Sequence, residues 1–347
     1  MNRRELLWVG AAALSLGPAR RGRAVEGDAA RVMTVLGPVE PGRMGLTLPH
    51  EHVLVDFIGA DKVSHDRYDA DEVFRVALPQ LEAIRRQGVR SFVDCTPAYL
   101  GCAPALLRRL SDASGLHIVT NTGYYGANGG KHLPAHSRAV SADTLADRWV
   151  REWRDGIDDT GIRPGFIKIG TDAGLMPEVN RKVVRAAART HLASGLTIAA
   201  HTGDGHAAME ELDVLHEEGV DASAFIWAHA QNERDPALHA KAAAMGAWVE
   251  FDGIAPGSIE RHVELVRLLK GRGHLGRVLL SHDAGWYHVG EPGGGEFRTY
   301  TTLVADFLPA LREAGFSDEE VRRLTVDNPR DALTIRVRRV AGPRLRN

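Results

Sequence analysis

Five polar clusters stand where apolar segments of the chain end: Pro49-His50-Glu51-His52, Phe166-Ile167-Lys168-Ile169, Ala200-His201-Thr202, Ala228-His229 and Ser281-His282-Asp283. Imidazole and carboxylate are the side chains that bind borderline divalent cations. His50 and His52 lie two apart, so in extended chain both rings project from one face and can reach a single cation. Taken alone, a His-x-His pair is outnumbered about two to one by chance histidines. His201, His229 and Asp283 close three further apolar segments in the same way, a coincidence that chance does not predict, and the odds reverse in favour of a metal site.

Lys168 is the least ordinary of these residues. A lysine inside the apolar run Phe166-Ile167-Lys168-Ile169 buries a charge at a cost of several kcal/mol unless it is paired or chemically altered. Four readings are open: an ion pair across the fold, a Schiff-base lysine, an outward-facing side chain whose stem covers apolar surface, or an amine modified by carbon dioxide. The last would give N6-carboxylysine, whose two carbamate oxygens can bridge two cations. Two divalent ions carry four positive charges, which carbamate, Asp283 and a bridging hydroxide would largely offset.

Such residues need a frame to bring them together. Short segments rich in Val, Ile and Phe alternate with longer segments of helical period, the pattern of a parallel sheet with crossover helices. The expected strands are Gly45 to Leu48, Arg90 to Cys95, His117 to Asn121, Gly165 to Ile169, Thr197 to Ala200, Ala224 to Ala228, Ala247 to Phe251 and Arg277 to Leu280. The expected helices are Asp71 to Gln87, Pro104 to Ser114, Ser141 to Asp159, Asn180 to Ser194, Gly205 to Glu218, Asp235 to Met245, Ser258 to Lys270 and Thr301 to Ala314. Eight strands each followed by a helix predict an α/β fold of the closed (β/α)8 TIM-barrel type, with the site at the C-terminal mouth. No Pro/Ser-rich linker divides residues 25–347, so one domain is expected, with Gly285 to Gly295 as a long loop over the mouth.

Composition narrows the function. Lys plus Arg number 43 against 45 Asp plus Glu, which argues against a nucleic-acid partner and for a small-molecule substrate. Two cysteines, Cys95 and Cys102, form no disulfide framework and read as core thiols. Arg3 and Arg4 precede the apolar stretch Leu6 to Leu16, and small residues near Gly22 to Ala24 offer a cleavage site. Residues 1–24 therefore read as a twin-arginine signal, which predicts an exported, periplasmic protein with no membrane attachment after cleavage.

The site residues resemble the phosphotriesterase family of the amidohydrolase superfamily. The resemblance rests on Leu48-Pro49-His50-Glu51-His52, Gly156-Ile157-Asp158-Asp159-Thr160-Gly161-Ile162-Arg163 leading into Ile167-Lys168, Ala200-His201-Thr202, Ala228-His229, Leu280-Ser281-His282-Asp283 and Asp327-Asn328-Pro329. It implies two divalent cations, zinc by default. His50, His52 and Asp283 would hold the more buried ion, His201 and His229 the outer one, and carboxylated Lys168 with hydroxide would bridge them. It further implies hydrolysis by attack of the hydroxide on a carbonyl or phosphoryl centre, with Asp283 taking the proton, Tyr125 beside the substrate, and a homodimer.

The chain departs from better-known members of that family. Gly253 and Asn232 fall where phosphotriesterases proper carry a histidine and an aspartate that relay the proton, and where lactonases place an arginine in the Gly253 position. Cleavage of a lactone, ester or N-acyl amide is therefore expected. Organophosphate triester hydrolysis is the alternative, and a non-catalytic periplasmic metal- or ligand-binding protein a third reading. Gln231, Asn232 and Glu233 follow a ligand and are candidates to line the pocket.

Overall fold

The structure is a computed structural model and describes residues 30–341. The signal reading for residues 1–24 lies outside the described residues. Eight parallel strands form the frame: β1 (Leu46–Val55), β2 (Val89–Asp94), β3 (His117–Val119, continued by Asn121–Thr122), β4 (Phe166–Thr171), β5 (Thr197–Thr202), β6 (Phe225–Ala228), β7 (Trp248–Phe251) and β8 (Val278–Leu280). Each strand pairs in register with the next. The ring closes between β8 and β1, where Asp283 N donates to His50 O at 3.1 Å and His52 N to Ala284 O at 2.9 Å.

Alternation along the strands sorts the side chains. Ile167, Ile169, Ile198, Ala200, Val249 and Phe251 belong to the apolar layer shared with the outer helices. Their neighbours Phe166, Ala199 and Trp248 belong to a second apolar cluster with Val93, Val119, Ile226 and Leu279, which fills the barrel interior. By the two-residue period, Lys168 follows Phe166 inward, His201 follows Ala199, and Glu250 and Asp252 follow Trp248. Val32, in a hairpin of Val32–Thr34 against Gly37–Val39, joins Ala332 and Leu333 to close the N-terminal end of the interior.

The outer helices fall within a few residues of expectation. For α1 (Ala70–Arg86), Asp69 caps the start through the amides of Asp71 and Glu72, and Val73, Ala77, Leu81 and Ile84 form the buried stripe. The helix expected from Ser141 to Asp159 is α2 (Ala142–Asp155) and stops earlier, because Gly156 leaves helical geometry at φ 108.

Two sequence expectations are corrected. The first strand does not stop at Leu48; it runs to Val55 through a register shift between Leu48 and Glu51, so His50 and His52 are strand residues. The segment Gly285 to Gly295 is only partly loop, since Gly285–His288 adds a strand beside β1.

Glu51, between the two histidines, joins the ends of the ring. Its carboxylate accepts from Ser281 Oγ (2.8 Å), His282 N (3.1 Å) and Ala284 N (2.9 Å), and His282 Nδ1 approaches the same group.

Gly123 carries the chain from β3 toward Tyr124 and Tyr125 with φ +118, and a Cβ there would lie 2.2 Å from Lys168 O. Only glycine fits such a contact. Gly123→Ala is expected to cost at least about 2 kcal/mol and to lower turnover by displacing β4. Chemical denaturation reads the first effect, and an unchanged midpoint would contradict it.

Glu211 is fully buried and is held by Thr171 Oγ1 (2.9 Å) and Thr202 Oγ1 (2.7 Å). Burial pushes its carboxyl up to about 8 from 4.5, against the two hydroxyls. An acid with a raised folded pKa binds its proton more tightly when folded, so its contribution is complete below pH 4.5 and is lost as pH rises through 8. Glu211→Gln should flatten the fall in stability between pH 5 and 8, which runs at up to about 1.4 kcal/mol per pH unit for one such group. Parallel stability curves for the two proteins would refute the assignment.

Candidate metal centre

The mouth of the barrel brings together all six residues that the sequence singled out as ligands. His50, His52, Lys168, His201, His229 and Asp283 line one cleft of about 70 Å³, with Val55, Phe57, Cys95, Pro97, Leu100, Tyr125 and Trp286 as its other walls. The His50 and His229 ring centroids are 4.9 Å apart, and those of His201 and His229 are 4.3 Å apart.

Hydrogen bonds fix which nitrogen each ring presents. Thr96 Oγ1 donates to Leu54 O at 3.0 Å, so it accepts from His52 Nδ1 at 2.7 Å. His50 Nδ1 lies 2.9 Å from both Glu250 Oε2 and Asp252 Oδ2, and His229 Nδ1 lies 2.8 Å from Asp252 Oδ1. Carboxylates accept, so all three rings carry the proton on Nδ1 and offer Nε2 as a lone pair. Burial lowers the pKa of His52 and of His201, the latter helped by its neighbours His229 and Lys168. At His52 and His201 neutral imidazoles result, as ligation requires, whereas His50, although burial opposes it, is held well above the ordinary histidine range with Asp252 and Glu250 beside it.

Asp283 Oδ1 lies 3.1 Å from His52 Nε2 and 3.8 Å from His50 Nε2, yet is a buried oxygen with no hydrogen-bond partner. Two imidazole nitrogens and a carboxylate oxygen thus converge, an arrangement that a cation satisfies. His50, His52 and Asp283 place their donor atoms within 4.8 Å of one another, whereas in the equally close set His50–His229–Asp252 the carboxylate is taken up by the two Nδ1 protons. The donors present therefore fit divalent cations.

Lys168 is 2% exposed, and its Nζ lies 3.1 Å from His50 Nε2. It points inward and forms no ion pair among the described residues. This corrects two of the readings left open by the sequence, the outward-facing stem and the ion pair across the barrel.

Backbone strain marks the same place. His229 (φ 61), Asp283 (φ 50) and Trp286 (φ 74) all adopt left-handed conformations that cost non-glycine residues energy. Arg298 braces this region, with Nη1 donating to Asp283 O at 3.0 Å. Tyr125 packs its ring 5.0 Å from His201. Burial, with Asp283 and Asp172, raises the phenol, so Tyr125 remains a proton donor.

Of Gln231, Asn232 and Glu233, none lines the cleft. Gln231 Nε2 donates to Asp252 Oδ1 at 2.7 Å, Asn232 is exposed, and Glu233 accepts from Gly205 N at 2.8 Å. Gln231 also occupies the space over Gly253, where a Cβ would meet its Nε2 at 2.8 Å.

Sequence reasoning missed Asp252, Glu250 and Thr96, which orient the rings, and Phe57 and Trp286, which wall the cleft. The alternation Glu250–Phe251–Asp252 in a buried strand was the one available signal, since inward carboxylates need cationic or N–H partners. Asp252 serves two rings at once, so Asp252→Asn is expected to weaken cation affinity by about 10- to 100-fold. Competition with a chelator would measure it, and unaltered affinity would rule the role out.

Imidazole nitrogens and a carboxylate converging above a barrel mouth place the protein among metal-dependent hydrolases. The phosphotriesterase family model matches residues 30–333, and the chain belongs to that family, whose members are binuclear TIM-barrel hydrolases. It is 32% identical to the phosphotriesterase homology protein of Mycobacterium tuberculosis over 86% of this chain and 95% of that protein. It is 26% identical to an aryldialkylphosphatase of Saccharolobus solfataricus, covering 84% and 96% of the two chains. An N-acetyltaurine hydrolase of Tetraodon nigroviridis is also 26% identical, over 88% and 98%.

Proposed function

We propose that this protein hydrolyses a carbonyl substrate, a lactone, ester or N-acyl amide, at a binuclear centre held by all six mouth residues. His50, His52 and Asp283 would hold one cation, His201 and His229 the other, and Lys168 as N6-carboxylysine would join them, with zinc the expected metal. The observation that carries the reading is Lys168, a buried amine without an ion pair among the described residues that faces a cluster of imidazoles. When bound, the cations supply an activated water and polarise the substrate oxygen.

The chain's own residues do the rest. Asp283, which would hold a cation through one carboxylate oxygen, accepts the proton of the attacking water on the other. The Tyr125 phenol donates toward the substrate oxygen, and Phe57, Leu100 and Trp286 exclude bulk solvent from the cleft.

Two observations favour carbonyl over phosphoryl substrates. Gly253 and the exposed Asn232 provide no histidine–aspartate relay behind Asp283, and one relative is an N-acetyltaurine hydrolase. The aryldialkylphosphatase relative keeps triesters as the second reading.

The test compares kcat/KM of zinc-loaded protein for γ- and δ-lactones, p-nitrophenyl acetate, N-acetyltaurine and a diethyl aryl phosphate. The proposal stands if a carbonyl substrate leads. It falls if the triester leads, or if cation is retained without turnover of any of them, which would assign a binding role instead. Export through the N-terminal signal and assembly as a homodimer belong to the same proposal. Cell fractionation and the mass in solution test them.

A further inference from the structure

A second cavity, of about 170 Å³, lies behind the wall of the metal cleft. The wall is shared residue by residue. Phe57, Pro97, Leu100 and Tyr125 face the cleft, whereas Asp56, Ala98, Tyr99, Gly101 and Tyr124 face the second cavity. Helix α2 closes its far side with Arg148 and Glu152, and His65, Tyr68 and Asp158 stand around it.

The polar groups divide by depth. Asp158 and His65, 4.0 Å apart, are largely exposed at the rim. Asn121 is 1% exposed. Its Nδ2 is committed to Asp94 O (3.0 Å) and Thr96 O (3.1 Å), while its Oδ1 is buried without any partner. Glu152 receives the Thr122 hydroxyl on Oε2, but the nearest cation to its Oε1 is Arg148 Nε, at 3.8 Å. Burial raises the Glu152 carboxyl despite these neighbours. An orphaned buried acceptor costs free energy until a donor arrives. The lining therefore includes Asn121, with an acceptor unpaired among the described residues, and one carboxylate that Arg148 engages only at 3.8 Å, beside the aromatic rings of Tyr68, Tyr99 and Tyr124.

We propose that this cavity is a binding site for a small organic cation, an aryl- or alkylammonium group, separate from the metal centre. Its N–H groups would be received by Asn121 Oδ1 and Glu152, and its positive charge stabilised by Glu152 and by the tyrosine faces. Asp56 takes no part, because Arg67 Nε already holds it at 2.6 Å.

The test is calorimetric titration of the full-length, zinc-loaded protein with benzylammonium chloride, and with benzyl alcohol as the neutral control. Saturable binding at roughly millimolar concentration or tighter is expected for the amine alone. Glu152→Gln should weaken it by about tenfold, and Asp283→Asn should leave it unchanged, which separates this site from the reading of the metal centre. A diazirine-bearing benzylamine should label peptides spanning residues 63–68 and 148–158, a measurement that holds even if Glu152→Gln fails to fold. Absence of saturable binding, equal binding of the alcohol, loss of binding in Asp283→Asn, or labelling confined to the metal cleft would each overturn the proposal.

Discussion

Lys168→Ala should yield a folded barrel that has lost its paired cations and about 10³-fold or more of its kcat/KM. The side chain is enclosed by the four imidazoles and Asp283, so its removal leaves space rather than a clash. Short carboxylic acids can enter that space and return part of the bridging charge. Acetate or propionate should therefore restore part of the activity in a saturable manner and raise the bound metal toward two ions per chain. Full metal content and full activity in Lys168→Ala would sink the carboxylysine assignment. Loss of activity without any rescue would leave Lys168 as a structural amine only. Mass analysis of a tryptic digest is no substitute, because a carbamate is lost in acid; the intact folded protein is the material to measure.

Asp283→Asn is expected to lower kcat by about 10²- to 10⁴-fold, the range attached to a positioned proton acceptor. Asparagine keeps the size of the side chain and its place beside His52 and His50, but loses the charge and the basicity. Two effects then separate by measurement. If Asp283 serves chiefly as a proton acceptor, the variant supplied with excess zinc binds metal and remains slow at every pH. If it serves chiefly as a ligand, excess zinc restores turnover. The proton-acceptor role is abandoned if zinc alone recovers the parent rate.

The frame was legible because the two periods of the chain differ. Every expected strand and helix has a counterpart, most with bounds within a few residues, since apolar alternation and glycine stops are local signals. The six mouth residues were legible for the same reason, as each stands at or near the end of an apolar strand. What could not be read locally is what holds them. Glu250 meets His50 across 200 positions of sequence, and Thr96 meets His52 across 44. No local pattern carries such pairings. Boundaries failed where the backbone departs from regular geometry, at the register shift that carries β1 through His50 and at Gly156. Trp286 was invisible because a left-handed tryptophan has no sequence signature.

The hydrogen bonds between Glu51 and the segment Ser281–Ala284 join groups 230 to 233 residues apart. Closing so long a loop is slow, and its entropy must be lost before the contact repays it. The centre draws on the same two ends of the chain, so it exists only after the ring has closed. Cations that bind the closed ring and not the open chain favour it by mass action. Metal supply would then govern the lifetime of the folded state as well as turnover, and a chain starved of metal would be exposed to proteolysis at its open seam.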